Sequence, residues 1–129
     1  MPWDPNRTRP EIDFPGDLPP TELVIDDLIV GDGTEVAAGS TVSAHYVGVA
    51  WSTGEEFDAS WNRGAPLSFP VGMGRVIQGW DTGLLGMRVG GRRRLVIPPH
   101  LGYGERGAGS AIGPGETLIF VVDLVDSRP

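Results

Sequence analysis

Apolar positions along this chain fall in short runs separated by turn residues. Leu23–Ile25 and Leu28–Val30 read as one interrupted strand ending at the turn Gly31-Asp32-Gly33. Thr41–Ala50 is the next strand, rich in valine and containing Tyr46, and Glu56–Asp58 is a short one. Leu67–Val71 carries Pro70, which suggests an edge or a bulge. Arg92–Ile97 is a strand stopped by Pro98-Pro99, and Thr117–Val125 is the longest, β-branched and aromatic throughout. Only one segment has helical spacing: Ile77, Trp80 and Leu84 stand at i, i+3 and i+7 and share a face. It contains Gly79 and Gly83, each costing about 1 kcal/mol relative to alanine, so it needs a sheet to lean on. Several strands with one weak helix predict an α+β fold, an antiparallel sheet half-covering that helix.

The 129 residues suggest one domain, divided unevenly in charge. Residues 1–35 hold nine carboxylates and two arginines; residues 36–129 hold eight of each, so the net −7 belongs to the front. Six of the twelve prolines lie in residues 1–20, where missing N–H groups and fixed φ angles resist helix and sheet alike. Residues 1–20 are therefore read as a flexible, acidic, proline-rich leader, and residues 21–129 as the folded domain. The acidity argues against a nucleic-acid partner. No apolar run reaches the roughly 18 residues of a membrane span, and Met1–Glu11 lacks the pattern of a secretion signal, so a cytoplasmic protein without a membrane partner is expected.

Composition removes several chemistries. There is no cysteine and no lysine, which excludes disulfides, thiolate sites and Schiff-base catalysis. Gly102-Tyr103-Gly104-Glu105-Arg106-Gly107 matches a dinucleotide-binding spacing, but the residues after it cannot open the required helix. It lies in a glycine-rich stretch between Pro99 and Glu116, long enough to suggest a functional loop. His45 and His100 have no paired spacing, so no metal is expected. In Arg92-Arg93-Arg94 strand alternation splits the charge, which favours cross-strand carboxylate partners over phosphate.

The aromatic residues Tyr46, Phe57, Phe69, Trp80, Tyr103 and Phe120 come from several strands, the helix and the loop. They read as core, or as the lining of an apolar pocket. In their surroundings the sequence resembles the FKBP-type peptidyl-prolyl cis–trans isomerases. The motifs are His45-Tyr46-Val47-Gly48, Gly54-Glu55-Glu56-Phe57-Asp58-Ala59-Ser60 and Pro66-Leu67-Ser68-Phe69. Gly74-Arg75-Val76-Ile77-Gln78-Gly79-Trp80-Asp81, Leu101-Gly102-Tyr103-Gly104 and Thr117-Leu118-Ile119-Phe120 follow in order, from about Leu23 to Val125.

The resemblance implies a twisted antiparallel sheet wrapped around one short helix, with a pocket between them. It implies a peptidyl-prolyl isomerase that assists folding, acting on proline-containing polypeptides and also taking rapamycin-type macrolides. The alternative is a binding module for proline peptides or macrolides with low turnover. No cofactor is implied, and a monomer is expected. Tyr46, Phe57, Asp58, Trp80, Tyr103 and Phe120 are the implied catalytic set, with Trp80 as floor and Tyr46, Phe57, Phe69 and Phe120 as walls. The implied binding set is Leu67, Phe69, Val76, Ile77, Ile112 and Arg63. The Ile77 N–H and the Tyr103 hydroxyl would donate to substrate carbonyls, and Ile112 would touch the proline-containing chain. Asp58 is expected to be the single buried carboxylate, bonded to Tyr46 and facing Arg63. Leu67 stands where family members carry an aromatic, and Ala108 and Ala111 stand where they carry a histidine and an isoleucine. Phe14-Pro15 and Leu18-Pro19 are pairs such a pocket takes, so the leader is a candidate occupant.

Overall fold

The central strand, β2 (Thr41–Ala50), pairs along its whole length with the last strand, β6 (Leu118–Arg128). The computed structural model describes residues 3–12 and 18–129. The other strands are β1 (Val24–Ile29), β3 (Glu56–Ala59), β4 (Leu67–Pro70) and β5 (Arg92–Ile97). All pair antiparallel in the order β1-β5-β6-β2-β3, and β4 also pairs with β2. β3 takes the C-terminal half of that β2 edge and β4 the N-terminal half, so Pro70 sits on an edge strand as its missing N–H requires. The six-strand antiparallel sheet with one short helix, α1 (Gln78–Gly83), is the architecture expected.

Alternation divides the sheet into two faces. Val42, Ala44 and Tyr46 of β2, Leu95 and Ile97 of β5, and Phe120, Val122 and Leu124 of β6 are buried around Trp80 and Leu84. The helix glycines make its close approach to β5 possible. A Cβ on Gly79 would lie 2.6 Å from an Ile97 methyl, and one on Gly83 would lie 2.9 Å from a Leu95 methyl. Their propensity cost is thus offset by contact with the sheet.

The three consecutive arginines divide as alternation requires. Arg92 pairs with Asp123 at 2.7 Å and Arg94 with Asp26 at 3.6 Å on the back face. Arg93 is buried on the helix side. It donates to the Gly83 and Leu85 carbonyls at 2.8 and 3.0 Å and pairs with Asp27 at 2.7 Å. It thereby satisfies carbonyls that the end of α1 leaves open.

Residues 3–12, part of the segment read as a leader, lie against the back face. Pro10 is buried, and Ile12, like Trp61, packs against the cluster of Val47, Val49 and Ala59. The Trp3 ring lies 6.4 Å from His45. Arg7 reaches Asp123 at 3.3 Å and the Gly91 carbonyl at 3.4 Å, while Arg92 donates to the Thr8 carbonyl at 2.6 Å. Phe14-Pro15 lies outside the described residues, and Leu18 is 91% exposed.

Candidate functional site

A cavity of about 420 Å³ opens between α1 and the sheet. Trp80 projects from α1 into the middle of the aromatic set. Its ring centroid stands 5.1 Å from Tyr46 and 5.1 Å from Phe120, both edge-on, and 5.3 Å from Phe69. Phe57 meets Phe120 edge-on at 5.4 Å. Perpendicular rings of this kind set the positive edge of one against the negative face of the next, which holds the walls at fixed angles.

A bulge explains how Phe57 and Asp58, consecutive residues, both line the cavity. Gly48 pairs with Asp58 and Val49 with Glu56, which leaves Phe57 as the extra residue on β3. Strict alternation would send one of the two side chains to the back face, and a bulge re-aims it. Opposite them Gly48 leaves room for the rings: a Cβ there would lie 2.6 Å from Phe57 and 2.7 Å from Phe120. Gly48→Ala is expected to displace both walls, cost about 1–3 kcal/mol of stability and lower catalytic efficiency. Thermal unfolding and a peptide isomerisation assay on the same sample check this.

The polar side of the cavity is a three-membered group. Tyr46 Oη donates to Asp58 Oδ2 at 2.5 Å, and Arg63 donates to Asp58 Oδ1 and to Tyr46 Oη, each at 2.8 Å. Burial pushes the Asp58 carboxyl up, but the bonds from Tyr46 and Arg63 and the guanidinium charge outweigh it. Asp58 therefore ionises below the usual carboxylate range. Burial and the hydrogen bond to Asp58 push Tyr46 up, and burial with the Asp58 charge does the same to Tyr103. Both phenols stay neutral at ordinary pH.

The cavity gathers Tyr46, Phe57, Asp58, Leu67, Val76, Ile77, Trp80, Tyr103 and Phe120. Arg63 reaches it through Asp58 and Tyr46. Phe69 stands behind the lining, against Trp80. Ile112, 5% exposed, belongs to the core cluster rather than to the lining, its backbone bridged to Ala108 across a tight loop. One expectation is corrected. Asp58 is 42% exposed in its side chain, and the fully buried carboxylate among the described residues is Asp123, on the back face under Arg7 and Arg92.

Two contributors were not read from sequence. Gly74 and Arg75 also line the cavity. The Asp81 carboxylate accepts the N–H groups of Gly72 and Gly74 at 2.7 and 3.0 Å, and so ties their turn to α1. The signal was present: glycines flanking Met73, followed by a carboxylate in the first turn of the helix.

An antiparallel sheet closed on a short helix, with an aromatic cavity between them and the Tyr46 and Tyr103 phenols on its lining, defines the fold and the site. The comparisons agree. Residues 33–125 match the family model described as FKBP-type peptidyl-prolyl cis-trans isomerase. An FK506-binding protein of Streptomyces anulatus is 67% identical over 118 residues, 91% of this chain and 95% of that one. A probable FK506-binding protein of Corynebacterium glutamicum is 48% identical over 119 residues, 92% of this chain and 98% of that one. Matches of this length exceed residues 21–129 and so reach into the N-terminal segment. The crystal structure of AtFKBP13 superposes with a TM-score of 0.77 at 41% identity, covering 86% of this chain and 97% of that one. FkpA from Escherichia coli gives 0.75 at 42%, covering 83% of this chain and 48% of that one. The chain belongs to the FKBP-type peptidyl-prolyl cis–trans isomerases.

Proposed function

We propose that the aromatic cavity turns X–Pro bonds by holding the twisted bond in a dry site, without proton transfer. C–N resonance sets a barrier of about 18–20 kcal/mol. The two X–Pro isomers differ by only about 0.5–1 kcal/mol, so the task is purely kinetic. The planar imide is dipolar, and the twisted one has lost resonance and is less so. A water-poor aromatic surface therefore disfavours the planar state relative to the twisted one. The proline ring would rest on Trp80 between Tyr46, Phe57 and Phe120. The Ile77 N–H, at the start of α1, and the Tyr103 hydroxyl on the rim would hold the flanking carbonyls. Asp58 and Arg63 orient Tyr46 and exchange no proton with substrate.

The observation that supports this reading most is the Trp80-centred cluster, edge-on to two walls and open on one side. The same cavity is proposed to take FK506-like macrolides, a reading supported by the names of the relatives, and rapamycin-type macrolides with them. Folding clients in the cytoplasm and a monomeric state complete the proposal; cell fractionation and sedimentation test these two points. Exchange of Leu-Pro and Phe-Pro tetrapeptides, with and without a rapamycin-type macrolide, tests the core of it. Accelerated exchange that the macrolide abolishes is expected. Peptide binding with no acceleration would replace the isomerase reading by that of a binding module.

A further inference from the structure

The N-terminal arm (residues 3–12) and the cavity meet at one short turn, Ser60–Arg63, a single 3-10 turn. Its first three residues are held from the back face. Ser60 is buried, accepts the Tyr46 N–H at 2.7 Å and lies 2.9 Å from His45 Nδ1. Trp61 stacks on His45 at 4.3 Å and, like Ile12 of the arm, packs against the cluster of Val47, Val49 and Ala59. Asn62 accepts a hydrogen bond from Arg9 of the arm at 2.7 Å and donates to Glu56 at 3.0 Å, and Glu56 is ion-paired with Arg9 as well. The fourth residue, Arg63, turns the other way and closes the group with Asp58 and Tyr46.

We propose that the arm positions Arg63 against the Asp58 and Tyr46 side of the cavity, with Arg9 as the positioning residue acting through Asn62 and Glu56. A turn this short has little internal bonding, so its orientation depends on outside partners. Arg63 is 51% exposed, and an exposed ion pair by itself holds its geometry weakly. The arm, in contrast, is anchored at points away from the turn: Arg7 on the buried Asp123, Arg92 on the Thr8 carbonyl, and Pro10 buried. Arg9 therefore reaches Asn62 from a fixed chain.

This inference rests on the proposed role of the Tyr46–Asp58–Arg63 group. The test is a double-mutant cycle on kcat/KM for a Leu-Pro tetrapeptide in the full chain, with Arg9→Ala, Arg63→Ala and both. Arg9→Ala is expected to lower kcat/KM about two- to fivefold, and the double variant to equal Arg63→Ala. Arg9→Lys, which keeps the charge and a donor, should recover most of the loss. The NMR signal of the Arg63 Nε–H should move in Arg9→Ala and return in Arg9→Lys. An Arg9→Ala effect that is absent, or that multiplies fully with Arg63→Ala, overturns the positioning while leaving the cavity reading intact. An Arg63→Ala variant with unchanged kcat/KM overturns the positioning and the role given to Arg63 in orienting Tyr46.

Discussion

Trp80→Ala is expected to lower kcat/KM for an X–Pro peptide roughly ten- to hundredfold. Full burial of a side chain the size of valine or leucine is worth about 1.5–3 kcal/mol, and each 1.36 kcal/mol is tenfold in rate. The proline ring would lose that contact when its floor is removed. The same change should cost about 3–5 kcal/mol of stability, because Trp80 is buried at the centre of the cluster and alanine leaves a void between Tyr46, Phe69 and Phe120. Trp80→Phe separates the two effects. The indole N–H is buried and has no hydrogen-bond partner among the described residues, so phenylalanine gives up no bond and keeps an apolar floor. It should retain most of both stability and activity. Steady-state kinetics on the folded variants, with unfolding curves beside them, checks the pair. A Trp80→Ala protein that unfolds more easily but turns over peptide normally would show that substrate does not rest there.

Asp123→Ala is expected to cost about 3–5 kcal/mol of stability, as much as the loss of the tryptophan. Its carboxylate is fully buried, with Oδ1 bonded to Arg92 and Arg7 and Oδ2 unpartnered among the described residues. Removing it leaves two arginines, both mostly buried, facing each other without a counter-charge. The shift should appear in the urea midpoint with an unchanged slope, because the surface exposed on unfolding stays the same. A loss below about 1 kcal/mol would mean that the group behaves as a surface ion pair.

Asp123 also marks where sequence reading stops. Period-2 alternation assigns it, with Ile119 and Val121, to the face away from the helix. All three are buried, and the arm that covers part of that face is proline-rich and carries no periodicity. Charge pointed the same way. The front of the chain read as a separate acidic segment, yet Asp26, Asp27 and Glu35 pair with Arg94, Arg93 and Arg88, and Arg7 and Arg9 pair with Asp123 and Glu56. Charges split along the chain are interleaved in space.

What was legible follows from local rules. Thr41–Ala50 and Arg92–Ile97 were read with the bounds the structure has, because runs bounded sharply by glycine, proline and other turn residues need no tertiary information. The last strand continues to Arg128, past Val125, because its partner Thr41 begins opposite that end. Trp80, Tyr46, Phe57 and Phe120 were legible as a set through their motifs. The exposure of Asp58 and the burial of Ile112 were not. The first depends on a bulge that one register shift creates, and the second on how a glycine-rich loop folds back on itself.

The central claim is that the cavity works by excluding water and fixing the chain, with no group gaining or losing a proton. The pH dependence of kcat/KM for a Leu-Pro tetrapeptide tests it most directly. Asp58 ionises below the usual carboxylate range, burial holds His45 below the usual imidazole range, and burial holds Tyr46 and Tyr103 above the usual phenol range. Between about pH 7.5 and about pH 9 these four groups keep one charge state, and kcat/KM should stay constant within about twofold. A limb falling tenfold per pH unit inside that window would require a proton-transferring group and would contradict the account.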